Sequence, residues 1–129
     1  MAGNNYLLDT NIAIAILNNE DRVVERLQGQ GAFISLVVLG ELYFGAIKSS
    51  HAEENIKRID ELLKRHPLLS GDQQTAHHYS AIKLALQRKG RPIPENDIWI
   101  AAIAMQHTLT LITRDAHFEH IDGLPRQSW

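Results

Sequence analysis

The chain has 129 residues, 44% of them hydrophobic and 22% charged, with a formal net charge of −2, which suits one ordinary globular domain spanning 1–129. It contains no cysteine, which excludes a disulfide framework and thiolate metal sites and fits a cytoplasmic setting. No apolar run approaches a membrane helix in length, Met1–Asn5 lacks a signal peptide's basic residues, and the missing basic surplus means a nucleic-acid partner would require a bound cation and a local basic rim.

Tyr6-Leu7-Leu8 is a short apolar run that ends in Asp9. Asn11 then opens an apolar pattern of helical period through Ile12, Ile16 and Leu17. This predicts a strand, a tight turn and a helix that fades by Asn18-Asn19. Asp9 either caps that helix or does chemistry, and the two readings weigh equally here; a lone carboxylate behind a buried strand is costly without a partner. Glu20-Asp21 lead a second helix with Val23, Val24 and Leu27 on its apolar face, stopped by Gly29 and Gly31.

Ala32-Phe33-Ile34-Ser35 predicts a second strand, with Ser35 as N-cap of a helix whose buried face carries Leu39, Leu42, Tyr43, Ala46 and Ile47. Glu41 lies inside that helix, either on its wet face or aimed into a polar pocket. His51 to His66 is the most polar helix, with Ile56, Ile59, Leu62 and Leu63 as a narrow stripe; Pro67 ends it, and Pro67-Leu68-Leu69 suits a short edge strand.

Asp72 is placed to cap a helix running to Lys89 and stopping at Gly90, with Ala76, Tyr79, Ile82 and Leu86 on its buried side. Its basic end, Lys83, Arg88, Lys89 and Arg91, suits the helix dipole and could also hold phosphates. Pro92-Ile93-Pro94 is a stiff loop. It aims Glu95-Asn96-Asp97 and the strongly apolar helix from Ile98 to Met105. Leu109 to Thr113 is a β-rich run followed at once by Arg114-Asp115, repeating the Asp9 arrangement. Phe118 and Ile121 anchor the tail before Gly123-Leu124-Pro125 turns it.

Strands alternating with helices predict a three-layer α/β/α fold around a central parallel sheet. Asp9 and Asp115 then share the carboxyl edge of the sheet, where open α/β folds bind ligands. Helix starts on the same edge bring Asp97 there and Glu41 near it. Two such charges about 4 Å apart repel by roughly 4 kcal/mol at an effective dielectric of 20. Protonation or a divalent cation relieves this. An all-oxygen set suits Mg²⁺ or Mn²⁺, which can neutralise the charge that builds on a phosphodiester under attack. Asp9 and Asp97 are the first choice as direct ligands, Glu41 and Asp115 complete the site, and Thr10 and Thr113 orient ligands from behind.

Taken together, Leu7-Leu8-Asp9-Thr10-Asn11, Ile34-Ser35 with Gly40-Glu41-Leu42 and Gly45-Ala46, Asn96-Asp97 with Ile100-Ala101-Ala102, and Thr113-Arg114-Asp115 with His117-Phe118 resemble the PIN-domain ribonucleases. The match is greatest to the VapC or FitB-like toxins of bacterial toxin–antitoxin pairs, and it covers nearly the whole chain in the family's order. The resemblance implies an Mg²⁺- or Mn²⁺-dependent endoribonuclease acting on RNA such as tRNA or rRNA, with Asp9, Glu41, Asp97 and Asp115 as its acidic set. It also implies a cytoplasmic homodimer silenced by a VapB-type antitoxin, with no membrane partner. Asn11 joins Thr10 and Thr113 around the acids. Lys48, Arg88, Arg91 and Arg114 are candidates for the RNA-facing charge, each of them otherwise a solvated cation.

Seven histidines invite a zinc reading, through His117 with His120 or the pair His77-His78, but no further ligands follow at a recognisable spacing. His117 remains close to the predicted site. Trp99 and Phe44 suit core or dimer surface better than base stacking. Two rival functions stay open. An aspartyl-phosphate phosphotransfer enzyme would use Asp9 as nucleophile but would want a second Asp where Asn11 stands. A non-catalytic domain of the same fold would bind RNA or a partner without cutting.

Overall fold

In the computed structural model, which describes residues 5–129, strands and helices alternate along the chain. Met1–Asn4, on which the signal-peptide reading bears, lies outside the described residues. The order is β1 (Asn5–Leu8), α1 (Thr10–Leu17), α2 (Asp21–Leu27), β2 (Gly31–Ser35), α3 (Leu36–Ile47), α4 (Ala52–Arg65) and β3 (Leu68–Leu69). It continues with α5 (Gln73–Lys89), α6 (Glu95–Gln106), β4 (Thr110–Ile112), a 3-10 turn (Ala116–His120) and β5 (Arg126–Gln127).

The five strands form one sheet in the order β3-β2-β1-β4-β5, and every neighbouring pair is parallel. Tyr6 pairs with Ala32 on one side and with Thr110 on the other, so β1 is central. Tyr6, Leu7 and Leu8 are all buried, as a strand covered on both faces requires. The helices complete the α/β/α layering. Because all strands run the same way, their carboxyl ends share one edge. The chain moves outward from β1 through β2 to β3, then crosses back to place β4 on the other side of β1. That reversal opens a crevice between the ends of β1 and β4, the position where such sheets bind ligands.

Local chemistry sets the helix boundaries. The Ser35 side chain accepts from the Val38 N–H at 3.1 Å and starts α3. Asp72 and Thr75 form a reciprocal capping box at the start of α5. Gly90 closes that helix at φ 67°, a left-handed conformation that costs glycine little.

Three helix-face expectations are corrected. Val24 is 36% exposed and Ile47 is 62% exposed, because Val23 and Leu27 take the inward face of α2 and Val24 points about 100° away from Val23, and Ile47 is the last residue of α3. Ala76 is exposed, whereas Thr75 is buried, because the Thr75 hydroxyl binds Asp72 and Gln106. Two elements were not foreseen. The residues after Asp115 form a 3-10 turn pinned by fully buried Phe118, and Arg126-Gln127 add a fifth strand beside β4. Trp99 is half-buried and stacks on Tyr79 with ring centres 3.9 Å apart. Phe44 is not core: it is 60% exposed.

Candidate active site

The crevice at the carboxyl ends of β1 and β4 collects the acids named from the sequence. Asp9 follows β1 directly, and its N–H donates to the Ile112 carbonyl at 3.0 Å, clamping the two strand ends together. Asp9 is the N-cap residue of α1, yet its side chain makes no capping hydrogen bond. Its carboxylate instead accepts from the Thr113 hydroxyl at 2.7 Å, in a buried contact between residues 104 positions apart. Asp9 itself is only 5% exposed.

Thr113 links Asp9 to the next acid, since its Oγ1 accepts from the Asp115 N–H at 2.9 Å. The Asp115 carboxylate accepts from the His117 N–H at 2.9 Å and so starts the 3-10 turn. The His117 ring then returns to the acids: its Nδ1 lies 2.9 Å from an Asp97 oxygen and 3.1 Å from an Asp115 oxygen. Asp97 reaches this point from the first turn of α6, whose start Pro94 fixes. On the α1 side, the Thr10 hydroxyl donates to Glu41 at 2.6 Å, which draws that half-buried carboxylate toward the Asp9 turn. Asn11 accepts from the Arg114 N–H at 3.4 Å, a second tie between the ends of β1 and β4. Hydrogen bonds therefore run from Asp97 through His117, Asp115 and Thr113 to Asp9.

Charge is crowded here. Burial pushes the Asp9 carboxyl above its ordinary range; the Thr113 and Thr10 hydrogen bonds oppose this, while Asp97 and Asp115 add repulsion. Burial also raises Asp97, with Asp115 and Glu41 adding to the effect against the pull of His117. The hydrogen bond that the His117 ring donates to the Asp97 carboxylate holds its imidazole above the usual value. Donor atoms of Asp97, Asp115 and His117 all lie within 4.8 Å of one another. Asp9, named first with Asp97 as a direct ligand, and Glu41 lie outside that close grouping; their carboxylates accept from Thr113 and Thr10 instead. Crowded carboxylates that repel one another, with converging oxygen and nitrogen donors, fit a divalent cation.

The basic candidates divide. Arg114 is turned to a different partner set: its guanidinium binds Glu20 at 3.1 Å and the Trp129 carbonyl at 2.8 Å. Lys48 sits 4.7 Å over the Phe44 ring. Lys83 pairs with Glu95 and Lys89 with Asp122. Arg88 and Arg91 are exposed and have no side-chain partner among the described residues. His77, His78 and His120 join no ligand grouping among the described residues. His117 was undervalued from sequence because its partners come from α6 and its own backbone turn, so no linear spacing announces them.

A family model described as the PIN domain matches residues 6–124. Ribonuclease VapC1 of Haemophilus influenzae (strain R2866) is 35% identical over 130 residues, covering 96% of this chain and 97% of that protein. The tRNA(fMet)-specific endonuclease VapC of Shigella flexneri is 37% identical over 128 residues, with the same 96% and 97% coverage. Among solved structures, DNA-bound VapBC from Salmonella typhimurium superposes with a TM-score of 0.91 at 32% identity, covering 98% of each chain.

Proposed function

The chain belongs to the PIN-domain family, and from that premise we propose that it is a VapC-type toxin: a divalent-metal-dependent endoribonuclease that hydrolyses RNA phosphodiester bonds. The observation that carries this reading is the joining of Asp9, Asp97 and Asp115 in one crevice, with Glu41 tied to its edge.

Asp97 and Asp115 would hold Mg²⁺ or Mn²⁺, with Asp9 and Glu41 completing the acidic set. The cation supplies positive charge against the negative charge that grows on the phosphate during attack. Thr113 fixes the Asp9 carboxylate and the Asp115 backbone with one hydroxyl, and Thr10 does the same for Glu41. Asn11 holds the β1 and β4 turns in register. These contacts preorganise the site before substrate arrives. Arg88 and Arg91 offer free positive charge to an RNA backbone, and tRNA is the first substrate to test, since two relatives are named for it.

A VapB-type antitoxin is the matching partner. A groove of about 170 Å³ lined by Ile14, Leu17, Leu42 and Arg58, with Glu41 at its rim, could seat an antitoxin segment beside the acids. Leu36, Phe44 and Ile47 remain exposed, as surface that a second copy in a homodimer would cover. The whole chain acts as one nuclease domain in the cytoplasm.

The test is incubation of the purified protein with tRNA and total RNA in Mn²⁺, in Mg²⁺ and in chelator. Cleavage with either cation and none in chelator is expected. RNA retained without cleavage in every condition would replace the enzyme with a binding domain, and phosphate trapped on Asp9 would replace it with a phosphotransfer enzyme.

A further inference from the structure

Resting on the metal-nuclease reading above, we propose that His117 is itself a ligand of the divalent cation, and that its nitrogen makes this site favour Mn²⁺ over Mg²⁺. The acidic set alone is all oxygen and gives Mn²⁺ little advantage. His117 changes the chemistry of the set.

The geometry carries this. His117 Nδ1 is 2.9 Å from the Asp97 oxygen and 3.1 Å from the Asp115 oxygen. In an octahedral shell with ligands at roughly 2.1 Å, adjacent donors sit about 3.0 Å apart. His117 Nδ1 is thus spaced from each carboxylate oxygen as a neighbour on one coordination shell, the three donors lie within 4.8 Å of one another, and a cation would take the place of the hydrogen that now joins them. The ring is not a wandering surface group. Its backbone N–H is held by Asp115, and the next residue, Phe118, is fully buried. The turn that carries His117 is therefore anchored on both sides of the imidazole.

The donor type sets the preference. Mg²⁺ takes hard oxygen ligands and keeps much of its water; Mn²⁺ also accepts oxygen sets, but as a first-row transition ion, though the weakest binder of that series, it takes an imidazole nitrogen more readily than Mg²⁺ does. A nitrogen added to two carboxylates strengthens Mn²⁺ binding and contributes little to Mg²⁺. Arg114, the nearest arginine in sequence, is committed to Glu20 and the Trp129 carbonyl. His117 is the group left to answer the acids, as a cation when protonated and as a ligand when a metal enters.

The experiment uses the full chain with MnCl₂ or MgCl₂ alone and no RNA. Pulsed electron paramagnetic resonance of the Mn²⁺-loaded protein should show coupling to a directly bound nitrogen, and His117→Ala should abolish it. Calorimetry should show that His117→Ala weakens Mn²⁺ binding by about 10-fold or more, and Mg²⁺ binding by less than about 3-fold. His117→Asn, which keeps a polar group against the carboxylates, should behave as His117→Ala does and guards against collapse of the turn. Absence of nitrogen coupling in the wild type, or an equal loss for both cations, overturns the proposal. Asp97→Asn separates the two readings: it should lose both cations, and if it binds both as the wild type does, the metal-nuclease site itself fails.

Discussion

Two aspartates stand at the same place on two helices and do opposite things. Asp72 precedes α5 and accepts from the N–H groups of Gln74 and Thr75 at 2.9 and 3.2 Å. The Thr75 backbone hydrogen bond leads in holding its carboxyl below the ordinary value. Asp9 precedes α1 and makes no such bond; it is buried, faces other acids, and has its carboxyl raised. Asp72 serves the helix it begins. Asp9 is buried among other acids where its charge opposes folding, the setting in which carboxylates of functional sites are found and the one the proposed nuclease uses. The contrast also shows that N-cap position alone does not reveal a role; the partners of the carboxylate do.

The contrast is broken most severely at the acids. Asp97→Asn or Asp9→Asn should lower RNA cleavage by on the order of 10³ or more, measured on defined RNA at saturating Mn²⁺. Thr113→Val comes next. It removes the hydroxyl that holds both Asp9 and the Asp115 backbone, so cleavage should fall about 10- to 100-fold while the far-ultraviolet circular dichroism stays unchanged. Asp72→Ala should do the reverse, lowering the melting temperature by a few degrees with cleavage per folded molecule intact. Mn²⁺ at a hundredfold excess over its dissociation constant should stabilise the wild type by about 2.7 kcal/mol, read as a rise in melting temperature, and should leave Asp97→Asn unmoved.

The smallest effect is in pH. Groups raised in the folded state, Asp9, Asp97 and His117, hold protons that the unfolded chain releases, so their contribution is complete below the unfolded values and is lost as pH rises through the folded ones. Asp72 has the opposite sign: its contribution is present above the ordinary carboxylate value and is lost as pH falls through the lowered one. Metal-free wild type should therefore melt at slightly lower temperature as pH climbs above the ordinary imidazole value and through the raised value of His117. His117→Ala should flatten that slope; an unchanged slope would remove His117 as its source.

Much of the fold is legible in the amino-acid sequence. Apolar runs ending in Asp9 and in Thr113-Arg114-Asp115 announce two parallel strands with acids at their ends, and Pro92 and Pro94 announce the helix start that carries Asp97. Other features had no linear signature. β5 is two exposed residues recruited by backbone pairing with β4, so no hydrophobic pattern marks it. Arg114 reads from sequence as a free cation beside an acid, but Glu20 and the Trp129 carbonyl reach it only after folding. The same holds for His117, whose partner Asp97 lies on a different helix. Patterning reports burial and period; which polar groups meet across the crevice depends on the crossover that places β4 beside β1.

The most direct test pairs Asp9→Asn with Asp72→Asn, reading metal-free melting temperature and RNA cleavage on the same preparations. The account predicts that Asp9→Asn melts at or above the wild-type temperature and does not cleave, while Asp72→Asn melts lower and cleaves normally. Asp9→Asn that melts lower and still cleaves would show that the carboxylate after β1 serves the fold and not the chemistry.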